Sequence, residues 1–182
     1  MKPIEIQNFL SVKECDKILK ISENFDFTDA LTTYEIDKTI NSEDFDFNKR
    51  KITYIAETLF LELSIKILTK LNELNIFNGI IYNTTDKYSF NKYSTNDFLN
   101  YHHDGAEIAK GATITLVIEL SDNYTGGEFC YKIDDIEHKF EKGKGSLYIF
   151  DSHTLHKVNP ILNGIRYSIN CWPKFKIKKT LL

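Results

Sequence analysis

Beyond Gly79 the sequence stops repeating apolar residues every three or four positions and begins alternating them in short runs. Such runs cover 80–82, 88–93, 97–102, 113–120, 128–133, 136–140, 146–150, 156–158 and 166–172. Turn residues separate them: Gly126-Gly127, Gly143, Gly145, Asn159-Pro160 and Asn163-Gly164. Many short strands spaced this closely, after a helical start, indicate a mainly β fold. The expected core is an antiparallel barrel or jelly roll with N-terminal helices packed outside.

The part before Gly79 reads differently. Residues 4–10 look like a short strand or extended arm. Ser11-Val12-Lys13-Glu14 is a capping box, with a hydroxyl for the orphan N–H groups and a Glu three residues on to reach back. Val12, Cys15, Ile18 and Ile21 then repeat at helical spacing, which predicts a helix over 12–23. Residues 24–51 carry Phe25, Phe27, Phe45 and Phe47 among Asp and Thr and read as irregular strands or a covering loop. Over 52–74 the row Ala56, Phe60, Leu63, Ile67, Leu71 and Leu74 predicts one long helix, or two with a small break, packed against a sheet. No repeat, low-complexity tract or linker divides the chain. One domain is expected, with 1–78 as helical support and covering loop and 79–176 as the β core.

Composition narrows the class. With 182 residues, 42% hydrophobic and 27% charged, and a net charge of -3, the chain can fill a core and remain a solvated globule. That balance gives no global electrostatic reason to bind nucleic acid or membranes. The basic run at 174–179 reads as a solvated tail. Cys15, Cys130 and Cys171 are widely spaced and odd in number, so neither a zinc ribbon nor a disulfide framework is indicated. No apolar run at the start resembles a signal peptide and none later is long enough to span a bilayer, so a cytoplasmic protein is expected.

The chemistry concentrates in Tyr101-His102-His103-Asp104. On a strand, side chains alternate between faces, so His102 and Asp104 share one face and His103 points away. An imidazole and a carboxylate are two-thirds of the facial site of non-haem Fe(II) oxygenases, which still requires another histidine. His138, His153 and His156 are the remaining candidates: His138 in a surface-like alternating strand, His153 in a turn, His156 at the start of a strand.

In the order and spacing of these segments the chain resembles the Fe(II)/2-oxoglutarate-dependent oxygenases of the prolyl 4-hydroxylase-like, PKHD-type class. The likeness rests on Tyr101-His102-His103-Asp104, on Leu120-Ser121-Asp122 leading to Tyr124-Thr125-Gly126-Gly127-Glu128, and on Gly145 to Phe150 followed by His156-Lys157-Val158. It continues through Gly164-Ile165-Arg166-Tyr167-Ser168 to Trp172, and the opening Asn8-Phe9-Leu10-Ser11 also fits.

The resemblance implies a double-stranded β-helix with Fe(II) held by His102, Asp104 and His156, leaving positions for 2-oxoglutarate and O₂. It implies that Arg166 pairs with the distal carboxylate of 2-oxoglutarate through its two-pronged guanidinium. Tyr93 corresponds to a tyrosine near the iron-side carboxylate. By alternation Ser168, Asn170 and Trp172 share the face of Arg166, and Ser168 and Asn170 are candidates to line the cosubstrate pocket. Thr115, Val117 and Glu119 share a face of their own strand. Glu119 stands where some animal members have a second cosubstrate tyrosine, so either the pocket differs or Glu119 faces elsewhere. The implied reaction is hydroxylation of a C–H bond, foremost of a prolyl residue in a peptide, with release of succinate and CO₂ and with L-ascorbate as assay reductant. A free amino acid or small metabolite as substrate, a non-catalytic ligand-binding module and a zinc hydrolase are the other readings.

Overall fold

The computed structural model describes residues 1–30, 48–76, 81–83, 87–105 and 114–176. The parts of the 24–51 segment and of the basic tail that fall at 31–47 and 177–182 lie outside the described residues. In chain order the elements are β1 (Ile4–Ile6), α1 (Val12–Ser22), β2 (Thr28–Asp29), β3 (Asn48–Lys49), β4 (Lys51–Ala56), α2 (Leu61–Glu73), β5 (Ile81–Asn83), β6 (Lys87–Tyr93) and β7 (Phe98–His102). They continue with β8 (Ile114–Glu119), β9 (Thr125–Gly126), β10 (Phe129–Ile133), β11 (Ile136–Lys139), β12 (Leu147–Asp151), β13 (His156–Val158), β14 (Ile161–Asn163), β15 (Arg166–Cys171) and β16 (Lys174–Lys176).

Two antiparallel sheets carry the fold. The larger runs β1-β12-β8-β15-β6-β4-β2 and the smaller runs β11-β10-β13-β7-β3. Their facing sides share a core of Tyr93, Val117, Tyr148 and Phe150 from the large sheet and Leu99, Phe129 and Val158 from the small one. The other side of the large sheet presents Leu116, Ile118, Ile149 and Ile169 to the helices, which contribute Cys15, Ile18, Leu63, Ile67 and Leu71. Every residue of β8 is buried because both faces of this central strand are covered. The expected jelly roll with outer helices is therefore the architecture found.

The capping box of α1 is present: Glu14 N–H donates to Ser11 Oγ at 3.3 Å and Ser11 N–H donates to Glu14 Oε2 at 2.7 Å. Lys66 of α2 reaches the same carboxylate at 2.7 Å and ties the two helices together. That pair and the Ser11 donors hold the Glu14 pKa down at about 2. Along α2, Leu63, Ile67 and Leu71 face the sheet, and each contributes roughly 1.5–3 kcal/mol of burial. Leu71→Ala would cost about 2–5 kcal/mol.

One correction concerns 52–74. Residues Lys51–Ala56 form a strand paired with β6, and a short 3-10 turn precedes α2. Ile52 and Ile55 are both buried although three positions apart. Ile55 packs on the helix-side core, while Ile52 lies outside that cluster. Burial on both faces of the sheet thus imitates a helical interval. The arm expected at 4–10 is present as β1, and the described ends of the 24–51 segment supply β2 to the large sheet and β3 to the small one. Gly126 and Gly127 both have positive φ, and a Cβ on Gly126 would lie 2.5 Å from Pro160 O. That pair is a steric requirement of the turn.

Candidate functional site

His102 ends β7 and His156 begins β13, and the two are cross-strand partners in the small sheet. Directly opposed residues share a face at close range, and here the ring centroids lie 4.0 Å apart. Asp104 follows the end of β7. Its N–H donates to Ser152 O at 2.9 Å, which folds the chain back over the histidines. Asp104 Oδ1 lies 3.7 Å from His102 Nε2 and 3.8 Å from His156 Nε2. Ligand atoms of the three residues all fall within 4.8 Å of one another, and all three residues are buried.

The protonation of this cluster is fixed by its outer partners. His102 Nδ1 lies 2.9 Å from Asn100 O and His156 Nδ1 lies 2.8 Å from Thr154 O. A carbonyl can only accept, so each Nδ1 carries the proton and each Nε2 presents a lone pair inward. Burial, and then the facing His156, push His102 well below its usual pKa and keep it neutral. Burial works to raise Asp104, but positive charge on a neighbouring imidazole whenever one is protonated, together with hydrogen bonds from Thr115 and Trp172, outweighs it and lowers the carboxyl. His102 Nε2, His156 Nε2 and Asp104 Oδ1 thus converge on one another from three sides. A divalent cation fits that arrangement, and the two-histidine, one-carboxylate donor set matches non-haem iron.

Asp104 divides its two oxygens. Oδ1 faces the histidines, while Oδ2 accepts from Thr115 Oγ1 at 2.6 Å and from Trp172 Nε1 at 2.9 Å. Thr115 on β8 and Trp172, the residue after β15, reach across from the side of the large sheet and pin a candidate ligand that follows β7. Trp172 reads from the sequence as pocket face or core, and here it holds a candidate ligand. The alternation that put Thr115, Val117 and Glu119 on one face was the available signal for Thr115.

The remaining histidines sit apart from this cluster. His103 is exposed, its ring 6.1 Å from that of His153, which in turn contacts Asp151 at 3.3 Å. His138 is exposed on β11, stacked on Tyr131.

Arg166 begins β15, only 1% exposed. Its cross-strand partner on β6 is Tyr93, and the guanidinium lies 5.2 Å from the Tyr93 ring and 5.6 Å from that of Phe129. Ser168 is buried on the same face and donates to Asn170 Oδ1 at 3.5 Å. Glu119 turns toward Arg166. Arg166 Nε donates to Glu119 Oε2 at 3.0 Å, and Nη2 lies 2.7 Å from the same oxygen. Glu119 Oε1 is buried without a hydrogen bond.

Burial opposes both charges of this pair. Arg166 is depressed by burial, yet Glu119 more than restores it, and it stays a cation. Burial raises Glu119 to about 7 even against the pull of Arg166. The proton that moves near neutrality is therefore that of Glu119. Arg50 was not legible as a site residue. Its Nε donates to Asn91 Oδ1 at 3.1 Å, its guanidinium lies 6.0 Å from the Tyr93 ring, and its Nη1 is buried without a hydrogen bond.

Two packed antiparallel sheets thus carry a buried His-Asp-His cluster whose donor set suits a divalent metal. The profile of the 2OG-Fe(II) oxygenase superfamily matches residues 88–174, which include His102, Asp104, Glu119, His156 and Arg166, so the β core is similar to that superfamily. The chain is similar to the PKHD-type hydroxylase YbiX of Escherichia coli. The two are 25% identical, over 66% of this chain and 58% of that protein, so the match spans little more than half of the relative. In fold it is similar to a prolyl hydroxylase from Trichoplax adhaerens in complex with a peptide fragment of hypoxia inducible factor. There the TM-score is 0.73 at 18% identity, covering 94% of this chain and 83% of that one. It is similar also to a viral collagen prolyl hydroxylase from Paramecium Bursaria Chlorella virus-1 bound to 2OG, with TM-score 0.67 at 17% identity over 98% and 97% of the two chains. That superfamily is named for the Fe(II) and 2-oxoglutarate its oxygenases use. Among the described residues no helix is long and apolar enough to cross a membrane.

Proposed function

We propose that this chain hydroxylates a C–H bond, foremost on a prolyl residue of a peptide, using 2-oxoglutarate and O₂ at an iron held by His102, Asp104 and His156. The observation that carries the reading is the convergence of His102 Nε2, His156 Nε2 and Asp104 Oδ1 with both Nδ1 protons turned outward. Iron(II) with 2-oxoglutarate and O₂ supplies the oxidative decarboxylation that yields succinate and CO₂.

The chain's own work is positional. The two histidines and Asp104 would hold the iron, which would supply the oxygen-activating chemistry once cosubstrate and O₂ are bound. Thr115 and Trp172 keep Asp104 in one rotamer. Arg166 offers a cation along the same inner face, with Tyr93 packed on its plane and Ser168 and Asn170 beside it. The aromatic lining of Tyr93, Phe129, Tyr148 and Phe150 excludes water from the reacting centre. No side chain is required as a general base.

A peptidyl proline is favoured because relatives of this fold include prolyl hydroxylases, one of them bound to a peptide. Free amino acids and small metabolites are the competing substrates. The test loads the protein with Fe(II) and 2-oxoglutarate without oxygen, admits air with ascorbate present, and measures succinate. Proline-containing peptides are then screened for a product heavier by one oxygen atom. The proposal predicts metal-dependent succinate and a modified peptide. Absence of succinate with Fe(II) present would remove the oxygenase reading; succinate with modification of amino acids but no peptide would move the substrate class.

A further inference from the structure

We infer that Glu119 is a proton-dependent gate on the cosubstrate pocket: the distal carboxylate of 2-oxoglutarate reaches Arg166 as Glu119 takes up a proton from solvent. This rests on the proposed cosubstrate and goes beyond it, because it assigns a role to a residue that the oxygenase chemistry does not require.

The geometry sets up a competition. Arg166 and Glu119 are each about 1% exposed, and both guanidinium contacts fall on the single oxygen Oε2. The pair is neutral by itself. An incoming carboxylate would place two anions against one cation in a medium where an excess charge is expensive. Protonating Glu119 restores one anion to one cation. It also turns Glu119 from an acceptor into a hydroxyl donor. Oε1, the oxygen outside both Arg166 contacts, is the atom available to hold that proton, and the Tyr124 hydroxyl hydrogen-bonds with the carboxylate.

The surroundings leave the proton to Glu119. From β12, Tyr148 faces the pair; from the segment after β8, Tyr124 does so; burial pushes both phenols up, so both stay protonated. Lys142, from the segment before β12, lies over the Tyr124 ring at 3.5 Å, donates to Tyr124 O and is a second, weaker cation for Glu119. Tyr93 of β6 packs on Arg166, and Ser168 is the cross-strand partner of Glu119 on β15. Behind β8, Cys15 of α1 is raised to about 11 by burial and stays a thiol. A cleft of ≈ 410 Å³ lined by Glu119, Tyr124, Phe129, Lys142 and Tyr148 provides a path for the proton from solvent. With a resting value near 7, Glu119 is ionised at pH 8 and close to neutral at pH 6.

The experiment is calorimetric titration of the full chain, loaded with Mn(II), in two buffers of different ionisation enthalpy. The difference between buffers counts protons. For 2-oxoglutarate we expect an uptake approaching one proton at pH 8, falling toward zero below pH 6, and affinity that drops about tenfold per pH unit above 7. 2-Oxopentanoate, which lacks the distal carboxylate, should bind without that uptake. Glu119→Gln should remove the uptake and bind 2-oxoglutarate at pH 8.5 at least as tightly as the wild type.

Tight wild-type binding at pH 8 without proton uptake overturns the gate, and this arm needs no variant to fold. Equal uptake with 2-oxopentanoate also overturns it, because the proton then goes elsewhere. Absence of metal-dependent 2-oxoglutarate binding at every pH, in wild type and Glu119→Gln alike, overturns the cosubstrate reading and the gate with it.

Discussion

At the His102–Asp104–His156 cluster the chain brings three metal-ligand atoms to face one another, whereas at Arg166 it closes the charge with a carboxylate of its own. His102 and His156 turn their protons out to carbonyls, and Asp104 keeps Oδ1 open while Oδ2 is tied down. That end already brings three buried metal-ligand atoms within 4.8 Å of one another, with Asp104 held by Thr115 and Trp172. The Arg166–Glu119 end is compensated in advance. An anion arriving there must displace or neutralise a partner. The two ends teach that burial tolerates an incomplete site when its atoms are neutral acceptors around one charge, but pairs a buried guanidinium inside the protein.

The largest expected effect is at the ligands. His102→Ala, Asp104→Ala and His156→Ala should each weaken Mn(II) binding by more than about 100-fold, measured by equilibrium dialysis, because the losses from partners outside the ligand shell already reach about 10–100-fold. Those smaller losses are the expectation for Thr115→Val and Trp172→Phe, which free Asp104 Oδ2 without touching the metal side.

At the other end, Arg166→Met should cost about 3–5 kcal/mol of folding stability at pH 8 by denaturant titration, since it strands a buried carboxylate. The cost should shrink at pH 5, where Glu119 is protonated. The double variant Arg166→Met, Glu119→Met should recover much of the loss.

A subtler effect tests the pair in the wild type. Glu119 moves from an ordinary value of 4.5 up to about 7 on folding, through burial. Between those values the folded chain binds more protons than the unfolded one, so its contribution to stability is full below about 4.5 and declines as pH rises through 7. Glu119→Gln should flatten that part of the stability profile. The smallest effect is expected of His103→Ala, within about ±0.5 kcal/mol of wild-type stability and with unchanged metal binding. A His103→Ala variant that loses the metal would mean that the strand register is off by one residue.

Much of this was legible because it is local. Alternation alone separates His102 from His103, and the turn residues mark the strand breaks around β12, β13 and β15. The capping box was readable for the same reason. What escaped depends on contacts between distant segments. Trp172 and Thr115 reach Asp104 across the gap between two sheets, which no local period encodes. Strand β4 was hidden because Ile52 and Ile55 are both buried at a helix-like interval. The orientation of Glu119 was left open by its sequence, since a carboxylate beside an expected carboxylate site admits two arrangements. Only the register Ser168↔Glu119, with Arg166 two residues earlier on the same face, puts the acid against the guanidinium.

The account stands most directly on whether the two ends form one pocket. Metal-free protein and protein loaded with Mn(II) should be titrated with 2-oxoglutarate at pH 6.5, with binding followed by calorimetry. One molecule per chain, bound tightly only when the metal is present and lost in Arg166→Met, is the predicted result. Equal binding without metal, or undiminished binding without Arg166, would contradict it.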